Sequence, residues 1–282
     1  VQHIEFFHRD HFENNYHRVP PPPGLELFID FFWETRFDPL WSQYPKGFSD
    51  AQFPNIGYTY IINIGTPFVM QVSDEKFNMK THCLLPRYNA IECFHKPGNH
   101  LFGIKFRISP ILFEKKVNFA EYRAFLFPLS YLLDEKITSG TQKAPTFEKR
   151  VALLSAHFSS VLQKHKGDLQ PAGIVSKILN DCDRQNDFSV SVAQLADDNR
   201  ISARTLQRYF ETCTGISCKK ALLIMRIRKA TSRLLESPGE FHYSHFGYYD
   251  HSHFYKHLRQ FVSNNTLQNM KPHLDLLRLL HK

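Results

Sequence analysis

A change of hydrophobic period near residue 108 constrains this chain more than any other feature. From about residue 25 to 107, short runs rich in β-branched and aromatic residues (LELFIDFFWETRF, GYTYIINIG, TPFVMQVS and HLFGIKFRI) are broken by Pro and Gly, the pattern of a sandwich or small barrel. Ser109-Pro110 then supplies a helix cap and a first-turn proline. Helical segments are expected from there to Leu133, and the rest of the chain reads as helical. Such a switch segregates strands from helices, so the expected class is α+β: a β-rich N-terminal domain with flanking helices, then an all-α C-terminal domain. At 282 residues the chain is long enough for two cores. The boundary is expected in the Lys164–Gln170 stretch, near Gly167 and Pro171, which gives domains 1–166 and 167–282.

Charge points to a partner of the second domain. The formal net charge is +8, and residues 166–282 hold 17 Lys/Arg against 11 Asp/Glu, so most of the excess lies there. A basic surface favours a polyanion without separating DNA from RNA or an anionic membrane. The five cysteines (Cys83, Cys93, Cys182, Cys213 and Cys218) are odd in number and lack the two-residue spacing of zinc or redox pairs, which predicts reduced, buried thiols. The opening residues VQHIEFFHRD carry charge where a signal peptide needs an apolar core, and no run of about 18 apolar residues occurs. A soluble cytoplasmic protein that does not span a membrane is expected. Pro20 to Pro23 read as a rigid lead into the first strands.

Between Thr146 and His165, residues Phe147, Val151, Leu154, Phe158 and Val161 fall at alternating four- and three-residue steps. This is the seam of a helix that packs either on a second copy or on its own domain.

Within SVSVAQLADDNRISARTLQRYFETCTGIS, a short helix built on Val192, Leu195 and Ala196 is followed by a polar turn and by Ser202, an N-cap for a second helix. At about 100° per residue, Arg204, Gln207, Arg208 and Glu211 share one stripe, and Leu206, Tyr209, Phe210 and Cys213 lie opposite. Arg and Gln match guanine and adenine edges, and a helix fits the major groove; the same face also suits plain solvation. Gly215 closes this helix, and Ser217 caps another that runs to Pro238-Gly239 with Leu223, Ile227, Ala230 and Leu234 as its core stripe. Its roughly 28 Å is close to one turn of B-DNA. Arg226, Arg228, Lys229 and Arg233 on it either reach phosphates or are solvated. In FHYSHFGYYDHSHFYKHLRQFVSNN, Phe254, Leu258 and Phe261 form a buried stripe opposite Ser252, Tyr255, Lys256 and Arg259, a second candidate reading helix.

Together ISARTLQRYFETCTGIS, RIRKATSRLL and GYYDHSHFYKHLRQF resemble the double helix-turn-helix domain of the AraC/XylS family over about residues 170–265. LELFIDFFWE, YTYIINIG and FGIKFR resemble, more loosely, the cupin-like sandwich or barrel that precedes that domain in many members. The resemblance implies a sequence-specific transcription regulator of the activator type, responsive to an effector, with two helix-turn-helix units joined by a linker helix. It implies DNA contacts from Ser202, Arg204, Gln207 and Arg208 in the first recognition helix and from His251, Ser252, Tyr255 and Lys256 in the second. Double-stranded DNA, a second copy of the chain, RNA polymerase and an unidentified small-molecule effector are the implied partners, with no cofactor and no catalysis. Two departures stand out. GEFHYSHF replaces the family's Ile-Ala-x-Ile-Ala pattern before the second reader, and Val262-Ser263-Asn264-Asn265 replaces the Gly-x-x-Pro turn after it.

Other groupings admit other chemistry. His253 and His257 have the i, i+4 spacing of helix-borne metal ligands but also suit packing. His82, Glu92, His95 and His100 are residue types that a metal-dependent cupin-like enzyme uses, without its His-x-His spacing. Phe31, Phe32, Trp33, Trp41, Phe48 and Phe53 suit either a core or a ligand pocket. The alternatives to a DNA reader are therefore a protein-interaction regulator with degenerate DNA binding and a cupin-like enzyme.

Overall fold

The computed structural model describes residues 1–113 and 126–280, with only the helical backbone for 276, 277, 279 and 280. Its first part contains β1 (Gln2–Ile4), α1 (Arg9–Asn14), β2 (His17–Val19), β3 (Ile29–Arg36), α2 (Asp38–Gln43), β4 (Ser49–Gln52), β5 (Tyr58–Asn63), β6 (Phe68–Val72), β7 (Glu75–Met79), β8 (Cys83–Pro86), β9 (Ile91–Phe94), β10 (His100–Phe106) and β11 (Phe127–Pro128). The strands form a five-stranded sheet, β1-β4-β9-β6-β7, and a six-stranded sheet, β11-β8-β5-β10-β3-β2. Apart from the parallel β1–β4 pair, neighbours run antiparallel. The architecture is α+β, with helices following the sheets. The tetraproline does not lead into the first strands, since β1, α1 and β2 precede it.

β5 and β10 are buried along their whole length, because both faces of their sheet are covered. Tyr60, Ile62, Phe102, Ile104 and Phe106 point to the helical side, whereas Ile61 and Leu101 point toward the other sheet, where they meet Phe68, Met70 and Cys93. Lys105 lies on the same side of β10 as Leu101, two pleats away, so an ammonium is carried into the sandwich. Gly103, between them, pairs directly with Trp33 of β3. A Cβ at Gly103 would sit 2.2 Å from the indole, so only glycine lets that ring lie across the strand.

After a 3-10 turn at Pro110–Phe113, the described chain continues through a second turn (Leu129–Tyr131) into α3 (Glu135–Lys143) and α4 (Phe147–Lys164). Part of the helical stretch expected between Ser109 and Leu133 lies outside the described residues. Thr146 caps α4 by accepting from the Lys149 amide. The α4 seam is used on its own domain: Phe147 packs on Phe102, and Phe158 on Phe106 and Tyr60, at ring separations of 5.9, 5.3 and 6.1 Å. Within the chain, Phe147, Leu154 and Phe158 of this seam are buried and Val151 and Val161 are half-buried. Burying such side chains contributes about 1.5–3 kcal/mol each.

The helical part comprises α5 (Gln170–Gln185), α6 (Val192–Asp198), α7 (Ala203–Thr214), α8 (Cys218–Glu236), 3-10 turns at Pro238–Glu240 and Tyr243–Phe246, α9 (His251–Leu258) and α10 (Asn264–Leu280). One apolar cluster runs from the outer face of the six-stranded sheet through α4 and α5 to α10, and a smaller one fills the sandwich. Gly215, in the left-handed region at φ 77°, ends α7 against β5, where a Cβ would lie 2.1 Å from the Tyr58 hydroxyl. The N-terminal strand also touches the helices, since the Gln2 side chain bonds to Thr266 and Asn269 of α10. No helix among the described residues is long and apolar enough to cross a membrane.

Candidate nucleic-acid interface

The first unit is α6 followed by α7. Ser191 and Ser202 cap the two helices by accepting from the Gln194 and Thr205 amides at 3.1 Å, and Arg200, at φ 56°, makes the turn between them. Leu206, Phe210 and Cys213 are fully buried, whereas Arg204 and Arg208 are exposed and Gln207 is half-buried. The two faces expected from the sequence are therefore present. The Gln207 amide donates to the Glu211 carboxylate at 2.9 Å, which steadies it on the outward face. Ser202 remains exposed, but its oxygen is occupied by the cap.

Arg226 and Arg228 of α8 are engaged with neighbouring elements, whereas Lys229 and Arg233 form ion pairs at the surface, with Arg233 still exposed as the solvated reading expects. Arg226 donates to the Phe246 and Gly247 carbonyls and lies over the Tyr248 ring at 4.0 Å. Arg228 bonds Glu5 at 2.8 Å, Lys229 reaches Asp183 at 3.1 Å, and Arg233 reaches Glu240 at 2.9 Å. These side chains tie α8 to its neighbours. The buried stripe of α8 carries Ile224 alongside Ile227, Ala230 and Leu234, and Leu223 is only half-buried.

In the second unit, ring packing takes the place of the Ile-Ala helix. Phe241 stacks on Phe246 at 5.4 Å, and Tyr248 stands edge-on to Phe254 at 5.3 Å, within the range of favourable aromatic pairs. Asp250 caps α9 by accepting from the His253 amide at 2.8 Å. Phe254 and Leu258 are fully buried, while Ser252 and Lys256 are exposed. Tyr255 and His251 are half-buried and stack at 5.8 Å; the His251 Nε2 has no hydrogen-bond partner among the described residues. His251 is thus less free to contact a base than its position in the sequence suggests. All four residues expected to read bases here line a groove whose other wall is α10. His253 and His257 pack around Tyr248 at 5.3 and 5.5 Å, and no group of three or more metal-ligating side chains occurs among the described residues.

The four candidate enzyme residues are engaged separately. His95 bonds Asp50 and Asn99, His100 bonds Glu34, Glu92 accepts from Ser49, and His82 accepts from the Asn63 amide. Asp50 is fully buried and also accepts from His11 and Tyr16. Burial by itself would raise the Asp50 carboxyl, but the hydrogen bonds from His11 and His95 hold it well below the usual range.

A cavity of about 140 Å³ lies between the sheets. Tyr16, Phe31, Trp33, Met70 and Leu101 give it an apolar body, and Glu5, Arg87, Lys105 and Arg228 a charged end. Of the six aromatic residues singled out from the sequence, only Phe31 and Trp33 line it; the others serve packing. Lys105 donates to the Ile56 and Phe106 carbonyls, and burial, with Arg87 nearby, pushes its ammonium down to about 7. The Arg87 Nε has no hydrogen-bond partner among the described residues. Four basic side chains, Arg18, Arg87, Lys105 and Arg228, thus line the cavity with a single carboxylate, that of Glu5. Sequence reasoning missed this end of the cavity. The available signal was a lone lysine at an inward position of the otherwise apolar HLFGIKF.

No family model matches the chain, and no curated protein does. Among solved structures, the chain is similar to wild-type ToxT from Vibrio cholerae with an unsaturated fatty acid bound, at 12% identity and a TM-score of 0.40, covering 87% of this chain and 90% of that one. It is also similar to ToxT from the same organism without a named ligand (13% identity, TM-score 0.39, 88% and 92% covered). A third match is ToxT bound to (E)-4-(8-methylnaphthalen-1-yl)but-3-enoic acid, at 15% identity and a TM-score of 0.39, covering 88% and 93%.

Proposed function

We propose that this protein is a sequence-specific DNA-binding transcription regulator, with residues 167–282 as the DNA-binding domain and residues 1–166 as the sensing domain. The observation that carries the reading is the two-faced α7: Arg204 and Arg208 project outward, with Gln207 beside them, from a helix whose other side is sealed by Leu206 and Phe210. Forked guanidinium and amide donors on a free helix face suit base edges in the major groove. The 19-residue α8 spans about 28 Å between the two units, close to the roughly 34 Å separation of successive major grooves. In this reading Arg204, Gln207 and Arg208 choose the sequence, Ser202 orders the helix start, and Ser252, Tyr255 and Lys256, with His251 behind them, contact the adjacent groove. The resemblance of the three motifs to the AraC/XylS family supports the same reading. It is also the sole support for activation through RNA polymerase and for a homodimer.

The cavity suits an effector: an organic anion whose charge meets Arg87, the lining cation with an unpartnered Nε, and whose body fills the apolar part. A cavity of about 150 Å³ accommodates benzene, so the size fits a short-chain carboxylate of about benzene's bulk. The rival reading, an interaction protein with degenerate DNA binding, has one observation in its favour, the wall that α10 places beside α9.

Selection from a random duplex pool tests the assignment. The regulator yields a family of enriched sequences whose affinity falls steeply with salt. Weak binding that enriches nothing contradicts it.

A further inference from the structure

The groove between α9 and α10 is more than the outer side of a reading helix. Its volume is about 1000 Å³, and it carries Lys256 and Arg259 on one wall and Lys271 and Arg278 on the other. These four cations are exposed, and none joins an ion pair among the described residues, in contrast to Arg228, Lys229 and Arg233 of α8. One carboxylate, Asp275, faces them. Lys271 and Arg278 are seven residues apart, about 10 Å along a helix. That matches three axial steps of about 3.4 Å between phosphates on one strand, the span from the first to the fourth of four successive phosphates.

We infer that this groove seats one sugar–phosphate strand of duplex DNA, gripped from both sides, with α9 in the major groove on one side of the strand and α10 on the other. The inference rests on the regulator reading and assigns α10 a part in it. Lys271 and Arg278 contact phosphates, so they contribute affinity without sequence choice. They also set how far α9 enters the groove, because the strand cannot pass α10.

The test is the salt dependence of duplex binding by the full chain and by the double variant Lys271→Ala/Arg278→Ala. Each lost phosphate contact lowers the slope of log affinity against log salt by about 0.9, so the slope falls by about 1.8. Over a fourfold rise in salt, wild-type affinity then drops about twelvefold more than that of the variant. Selected and random duplexes lose affinity alike, and Lys271→Arg keeps the wild-type slope. Both replaced side chains are exposed, so an unchanged melting temperature confirms that the variant is folded. An unchanged slope in a folded variant overturns the groove assignment while leaving the regulator standing. Failure of the wild-type chain to bind any duplex overturns both. A change confined to the selected sequence overturns the phosphate role, since it means base contact.

Discussion

Replacing Asp50 by alanine is expected to cost about 3–5 kcal/mol of stability. The carboxylate is fully buried and accepts from His11 at 2.8 Å, from His95 at 3.2 Å and from the Tyr16 hydroxyl. Truncation leaves these donors in a dry interior without an acceptor, at about 1–3 kcal/mol for each that finds no water. The loss reaches function, because Tyr16 and His95 both line the cavity. Denaturant unfolding of Asp50→Ala gives the number. A loss below about 1 kcal/mol, the range of an exposed pair, would show that the network is not closed as described.

Acidification should weaken the same region through His3. This side chain is 4% exposed, and neither ring nitrogen has a hydrogen-bond partner among the described residues. Burial, reinforced by His11 and opposed by Asp50, lowers its pKa from 6.5 to about 4. Above pH 6.5 the ring is neutral in both folded and unfolded chains and contributes no pH dependence. As pH falls from 6.5 toward 4, the unfolded chain takes up a proton that the folded chain refuses, and about 3 kcal/mol of stability is lost. Below that window both states are protonated and this contribution levels off. His3→Phe keeps a ring against Tyr44 and Phe48 and should flatten the stability profile between those pH values. A profile as steep as that of the wild type would assign the acid sensitivity to other groups.

What was legible in the sequence was local. Ser202 and Ser217, read as caps, accept from the amides three positions on, and Ser191 and Asp250, which were not read as caps, do the same; the buried face of α7 follows from its own period. The long strands β3, β5 and β10 were readable for the same reason, and the five-residue β6 because FVMQV is apolar at alternate positions. The short strands β4, β7, β8 and β9, with sequences SDAQ, EKFNM, CLLP and IECF, were not. Four or five residues carry too little periodicity, and their burial comes from neighbours distant in the chain. β1 pairs in parallel with β4 across more than forty residues, which no local pattern announces. The site divides in the same way. The reading face of α7 lies on one helix and was visible, whereas the charged end of the cavity joins residues as far apart as Glu5 and Arg228, 223 positions away. The α8 cations carried no sign of their partners, and so their engagement with Glu5, Asp183, Glu240 and two backbone carbonyls emerges only from the fold.

The most direct test of the central claim, that the outer face of α7 reads sequence, is the affinity of Arg204→Ala for a selected duplex and for random duplex at the same salt. Arg204 is exposed and joins no ion pair among the described residues, so folding is not expected to change. The account predicts a loss of about 1–3 kcal/mol, roughly five- to 150-fold, on the selected sequence and little change on random DNA. Equal losses on both duplexes, or none on either, would contradict it.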